Sequence, residues 1–276
     1  MATNYSGLSY AARSLYTLSA TMNIPLLVAH RGFMEKYPEN SLRGLQAALE
    51  EGAPYIEFDI QSTADLELVV FHDPDLQRTT GTDGSLFELA YQDLRQISAH
   101  EPARLGECFA PAPIPRLAEI SQLLQRYPGA QILPEIKSAT LERFGMRPVM
   151  DRMMEILAPL ADRCTLIGYD TTALAYARSQ KGLPIGWVIE DYDRQTLETA
   201  QQLQPDLMIG EVHMFTPEER PWPGPWDWML YDITDPALAL AYADNGVDLI
   251  ETRDIAAMFQ DPLLARRRLH HPGTAS

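Results

Sequence analysis

Eight apolar runs of strand length, separated by segments with helical spacing, predict an α/β fold: a (β/α)8 TIM barrel with a small insertion after strand two. The 276 residues suit the roughly 250 that such a barrel needs. An apolar content of 46% supports one large core, and a charged content of 22% is ordinary for a globular domain.

Residues 24–29 are the first strand and run directly into His30-Arg31-Gly32. Helix 41–51 follows, with Leu42, Leu45, Ala48 and Leu49 at helical spacing and Gly52 as its stop. The second strand is 55–60, and 68–71 is a short extended piece leading into His72. Residues 73–115 are rich in Thr, Gly and Pro and far exceed the few residues that a βα connection needs, so they read as an insertion covering the barrel mouth. Helix 117–127, strand 131–136 and helix 148–160 resume the alternation. Strands four to eight are 164–168, 185–189, 207–209, 229–233 and 249–251, with helices at 174–180, 195–203 and 236–245. The run Pro221 to Trp228 is expected to be a loop, because proline supports neither a helix nor a ladder. One domain over 23–262 follows, with 1–22 as a dispensable extension, Met22 as an alternative start, and 263–276 as a tail carrying Arg266-Arg267-Arg268.

The 22 basic against 38 acidic residues leave a net charge of −16, which repels nucleic acid and anionic membranes at long range. An anionic substrate therefore needs a local cation. Cys108 and Cys164 lack the spacing of a metal site or a disulfide framework. No signal-like h-region or membrane-span-length apolar run stands out, so cytoplasmic residence without a membrane anchor is expected.

The chemistry lies at the ends of the first three strands, where an α/β barrel builds its active site. Residues i and i+2 of a strand share a face, so Glu57 pairs with Asp59 and Glu135 with Lys137, all toward the barrel interior. Three carboxylates make a hard-oxygen site for Mg²⁺ or Ca²⁺, and the missing Cys or clustered His set disfavours zinc there. His30 and His72 remain as general base and general acid, while Arg31 and Lys137 hold phosphate oxygens. Together these parts describe metal-assisted phosphodiester cleavage.

The motifs VAHRG, YPENS, IEFDIQST, VVFHD, PEIK and the closing GVDLIET resemble the glycerophosphodiester phosphodiesterase family in order and spacing, from about Pro25 to Ile255. The resemblance implies a TIM barrel that hydrolyses small glycerophosphodiesters to glycerol 3-phosphate and an alcohol. It also implies Glu57, Asp59 and Glu135 as metal ligands, His30 and His72 as the acid–base pair, and Arg31 and Lys137 on phosphate. Attack by the substrate's own glycerol hydroxyl or by water stays open. Three segments depart from the family pattern: Gly168-Tyr169, Tyr231-Asp232-Ile233-Thr234 and Thr252-Arg253. They concern substrate preference more than chemistry. Tyr169, Trp187 and Tyr231 are candidate substrate contacts, and Asn40 either orients the site or caps the helix with Ser41. Glu39 is expected to serve the helix dipole, and Trp222, Trp226 and Trp228 to pack a loop rather than wall a choline-like group. His100, His213, His270 and His271 are read as uninvolved. Phospholipase D-like or C-like action on lysolipids, and phosphodiester binding without turnover, are the alternatives.

Overall fold

The computed structural model describes residues 23–270. Its sheet comprises β1 (Leu26–Ala29), β2 (Tyr55–Ser62), β3 (Leu68–Val70), β4 (Gln131–Ile136), β5 (Leu166–Gly168), β6 (Ile185–Val188), β7 (Leu207–Glu211), β8 (Asp227–Tyr231) and β9 (Leu249–Thr252). The order is β1-β9-β8-β7-β6-β5-β4-β2-β3, and β1 also pairs with β2, so eight parallel strands close a barrel. Only β3 is antiparallel, a hairpin partner of the upper half of β2. The chain is thus an α/β barrel with helices between its strands.

Period-two alternation sorts side chains between the two barrel faces. Val28, Leu133, Ile167, Val188, Leu207, Ile209, Met229 and Leu249 form a buried cluster in the interior, whereas neighbours such as Leu27, Ile132, Leu166 and Ile250 join the larger core beneath the helices. Above that apolar floor, two residues further along each strand or in the loop it enters, come His30, Glu135, Tyr169, Tyr231 and Glu251, and each lines the same cavity. The polar layer is therefore the next step of a pattern that begins as core.

The loop after β1 depends on two backbone features. Gly32 has φ +85°, and a Cβ there would lie 2.6 Å from the Gly44 carbonyl carbon, so only glycine lets the loop rest on the first helix. That helix, Leu42–Glu50, is capped by Ser41, whose hydroxyl accepts the Gly44 N–H. The capping role foreseen for Asn40 belongs to Ser41 alone.

Several sequence expectations need correction. Asp227 and Trp228 are not loop residues: they begin β8, pairing with Leu207 and Met208, and the strand ends two residues earlier than expected, where Asp232 turns to φ +67°. The dense Pro and Trp run concealed a strand start. Residues 73–115 do not cover the mouth. They fold as short turns and one-turn helices around their own buried cluster of Val69, Phe71, Leu76, Leu86, Leu94, Ala99 and Ile114, and none of them lines the cavity. Arg104 ties this unit sideways to the first loop, donating to the carbonyls of Glu35 and Tyr37. Beyond residue 262 the chain stays on the barrel: Leu264 is fully buried, and the Leu269 N–H donates to the Gly52 carbonyl. The readings for residues 1–22 and His271 lie outside the described residues.

Candidate active site

The cavity at the carboxyl ends of the strands has a volume of about 220 Å³ and is lined by His30, Arg31, Glu57, His72, Glu135 and Lys137. Tyr169, Tyr231, Asp232 and Glu251 complete the wall. Six of the seven principal residues expected from the sequence thus line one chamber. The seventh, Asp59, lies just behind it, 1% exposed, in contact with both cations.

Asp59 organises the cationic side. Lys137 Nζ stands 2.6 Å from Asp59 Oδ1 and 2.7 Å from Glu135 Oε1, while Arg31 Nε lies 3.1 Å from Asp59 Oδ2. Against the opposing effect of burial, Lys137 and Arg31 hold the Asp59 carboxyl far below the usual range. Asn40 clamps the same carboxylate: its amide donates to Asp59 Oδ2 at 2.7 Å, and its carbonyl accepts the Asp59 N–H at 3.1 Å. Both Asn40 and Arg31 adopt left-handed backbone, with φ of 55° and 50°. Asn40 thus holds the Asp59 carboxylate from two directions.

Glu39 does not serve the helix dipole. It is buried and accepts hydrogen bonds from Arg31 at 2.9 Å and from both terminal nitrogens of Arg78 at 2.8 and 2.7 Å. Arg78 also donates to Asp73, and Asp73 lies 2.6 Å from His72 Nδ1. A continuous chain of charges, His72–Asp73–Arg78–Glu39–Arg31–Asp59, links the insertion to the pocket. Asp73 fixes the His72 ring, leaving Nε2 for the cavity.

His30 lacks so close a partner, with Asp232 3.9 Å from Nδ1 and Glu251 4.0 Å from Nε2. Burial, reinforced by Arg31, lowers its pKa to about 3. Burial likewise lowers that of His72. On the other side, burial and neighbouring carboxylates push Glu57 and Glu251 well above the ordinary carboxylate range. Glu57 Oε2 accepts the Arg31 N–H at 2.9 Å, yet Oε1 of Glu57 and Oε1 of Glu251 are buried without a hydrogen-bond partner.

Orphaned carboxylate oxygens in a buried acidic pocket fit a divalent cation. Among the described residues, two groups bring their ligand atoms within 4.8 Å of one another: Glu57, Asp59 and Glu135, and also His30, Glu57 and Glu251. The first is the set expected from the sequence. Glu251 was missed, although an acid inside the apolar run Leu249-Ile250-Glu251, two residues after an inward leucine, was a visible signal.

The family model described as the glycerophosphoryl diester phosphodiesterase family matches residues 30–225, most of the chain, from His30 of the first motif to just before β8. The chain belongs to this family. Among curated relatives, the glycerophosphodiester phosphodiesterase of Caldanaerobacter subterraneus subsp. tengcongensis is 37% identical over 99 residues, covering 36% of this chain and 40% of that protein. That of Bacillus altitudinis is 33% identical over 129 residues, covering 47% and 52%. The chain thus spans about half or less of the length of the curated relatives it matches. Solved structures agree in fold. An Oleispira antarctica phosphodiesterase in complex with the product sn-glycerol-3-phosphate superposes with a TM-score of 0.74 at 21% identity, covering 86% of this chain and 96% of that one. A glycerophosphodiester phosphodiesterase from Parabacteroides distasonis gives 0.71 at 23%, covering 89% and 99%.

Within this barrel, the segments that depart from the family pattern sit at the rim. Tyr169 and Tyr231 line the cavity together, and Trp187 is buried with its indole N–H donating to the Tyr169 carbonyl at 3.2 Å. Trp187 thus supports the tyrosine pair from behind and is not itself a cavity residue. Arg253 turns away to Glu35 at 3.0 Å. Trp222 stacks on Tyr192 with ring centroids 3.7 Å apart, while Trp226 and Trp228 are buried, so the tryptophans pack structure rather than substrate. His100 bonds Ser98, and His213 and His270 are exposed away from the cavity. No helix among the described residues is long and apolar enough to cross a membrane.

Proposed function

We propose that the chain is a metal-dependent phosphodiesterase that hydrolyses glycerophosphodiesters to glycerol 3-phosphate and an alcohol. The observation that carries this reading is one cavity lined by two imidazoles, two cations and a set of buried carboxylates. The family match supports it, as does the relative solved with sn-glycerol-3-phosphate.

In this reading Arg31 and Lys137 bind the nonbridging phosphate oxygens, exchanging part of their contact with Asp59 and Glu135 for substrate. Glu57, Asp59 and Glu135 hold a divalent ion, Mg²⁺ or Ca²⁺ by the hard-oxygen chemistry of the set. When bound, that ion supplies positive charge against the charge developing on phosphate. One imidazole takes the proton of the attacking hydroxyl, whether from water or from the substrate's own glycerol. The other, entering the step as imidazolium, delivers its proton to the departing alcohol oxygen as its bond to phosphorus breaks. Tyr169 and Tyr231, at the rim, would face the alcohol.

The deciding assay measures glycerol 3-phosphate released from a panel of glycerophosphodiesters with Mg²⁺, Ca²⁺ or chelator. Metal-dependent release is expected. Absence of release from every diester, with release of a phosphate product from lysolipids, would replace this reading with a phospholipase one. Asn40→Ala should lower turnover about tenfold and cost ~1–3 kcal/mol of stability, because it strands a buried carboxylate oxygen and N–H. Kinetics together with urea unfolding checks both numbers.

A further inference from the structure

The charges of the pocket do not balance evenly. Arg31 pairs with Glu39 and Asp59, Lys137 with Asp59 and Glu135, and Arg78 with Glu39 and Asp73. Every acid on that side has a protein cation. Glu57 and Glu251 face each other on the other side, 2% and 4% exposed, and among the described residues neither forms an ion pair with a lysine or arginine. Each keeps a buried oxygen with no hydrogen-bond partner, and their common neighbour is the His30 ring, with Nε2 toward Glu251 at 4.0 Å. Two buried carboxylates side by side are costly without a cation between them.

We propose that His30, Glu57 and Glu251 form a second cation cradle, one that takes a transition-metal ion such as Zn²⁺ and, when filled, removes His30 from proton transfer. The donor set decides the ion. Glu57, Asp59 and Glu135 offer oxygen only, which suits Mg²⁺ or Ca²⁺, whereas a ring nitrogen with two carboxylates suits Zn²⁺. The ligand atoms already lie within 4.8 Å of one another, so small side-chain rotations bring them to the ~2.0–2.2 Å bonds of zinc. Asp232, 3.9 Å from His30 Nδ1, stands where an outer carboxylate steadies a ligating imidazole. Glu57 belongs to both sets, so the two ions would be neighbours. The inhibitory part of the proposal rests on the phosphodiesterase reading; the binding part does not.

The test titrates Zn²⁺ into full-length protein held in saturating Mg²⁺, counting bound zinc and magnesium by equilibrium dialysis and elemental analysis. The same preparations are assayed for glycerol 3-phosphate release. Wild type should take up one zinc per chain while retaining magnesium, and lose activity as it does so. Glu251→Gln, close to isosteric and checked for folding by circular dichroism, should weaken zinc uptake by about tenfold or more and lessen the fractional inhibition in parallel. Glu135→Gln, outside the cradle, should keep the zinc. Zinc retained by Glu251→Gln but lost from Glu135→Gln would put the ion in the oxygen site and overturn the proposal, as would no zinc uptake by wild type. If no preparation cleaves any diester, the phosphodiesterase reading fails while the zinc count still decides the cradle.

Discussion

Replacing His30 or His72 by alanine should lower turnover by about two to four orders of magnitude, the range lost when a positioned general acid or base is removed. Neither side chain holds up the barrel. Among the described residues the His30 side chain has no ion-pair partner closer than 3.9 Å, and the His72 ring has one short contact, with Asp73, which keeps its own bond to Arg78 when the ring is gone. Thermal unfolding of each variant should therefore stay close to wild type while the rate of glycerol 3-phosphate release collapses. A variant retaining more than about a tenth of the rate would remove that histidine from the proton transfers.

Chelation of divalent ions should abolish activity, and Glu135→Ala should raise the metal concentration needed for half-maximal rate by roughly 10–100-fold. Glu135 is the accessible corner of the oxygen set, its side chain 12% exposed, and among the described residues its carboxylate forms an ion pair with Lys137 alone. Removing it leaves Lys137 with Asp59, so the cation stays fixed and the loss falls on metal affinity rather than on phosphate binding. Titrating Mg²⁺ against rate at fixed substrate measures the shift. Full activity in excess chelator would sink the metal assignment outright.

The barrel and its polar mouth were legible because both follow local rules. Alternation carried Glu57, Asp59, Glu135 and Lys137 inward together, and the apolar runs marked every strand of the barrel. What the sequence concealed was long-range pairing. Nothing local distinguishes Glu39 as the meeting point of Arg31 and Arg78, thirty-nine residues from the latter, because a glutamate before a helix has an adequate reading as a dipole partner. Asn40 was ambiguous for the same reason, since one residue type suits both a cap and a carboxylate clamp. The start of β8 was hidden by prolines that sit just outside the strand. The insertion looked like a lid because it was long, and length says nothing about which side of a mouth a segment takes.

The charge chain from His72 to Asp59 ties residues 73–115 to the machinery through Arg78. This segment has its own small core and the outward look of a detachable module, yet it supplies one of the two arginines that neutralise Glu39. It cannot be exchanged as a cassette with the corresponding segment of another barrel unless that segment returns a guanidinium to the same place. A chimera lacking it would leave Glu39 and Arg31 to rearrange, and the damage would surface at Asp59, behind the wall of the pocket.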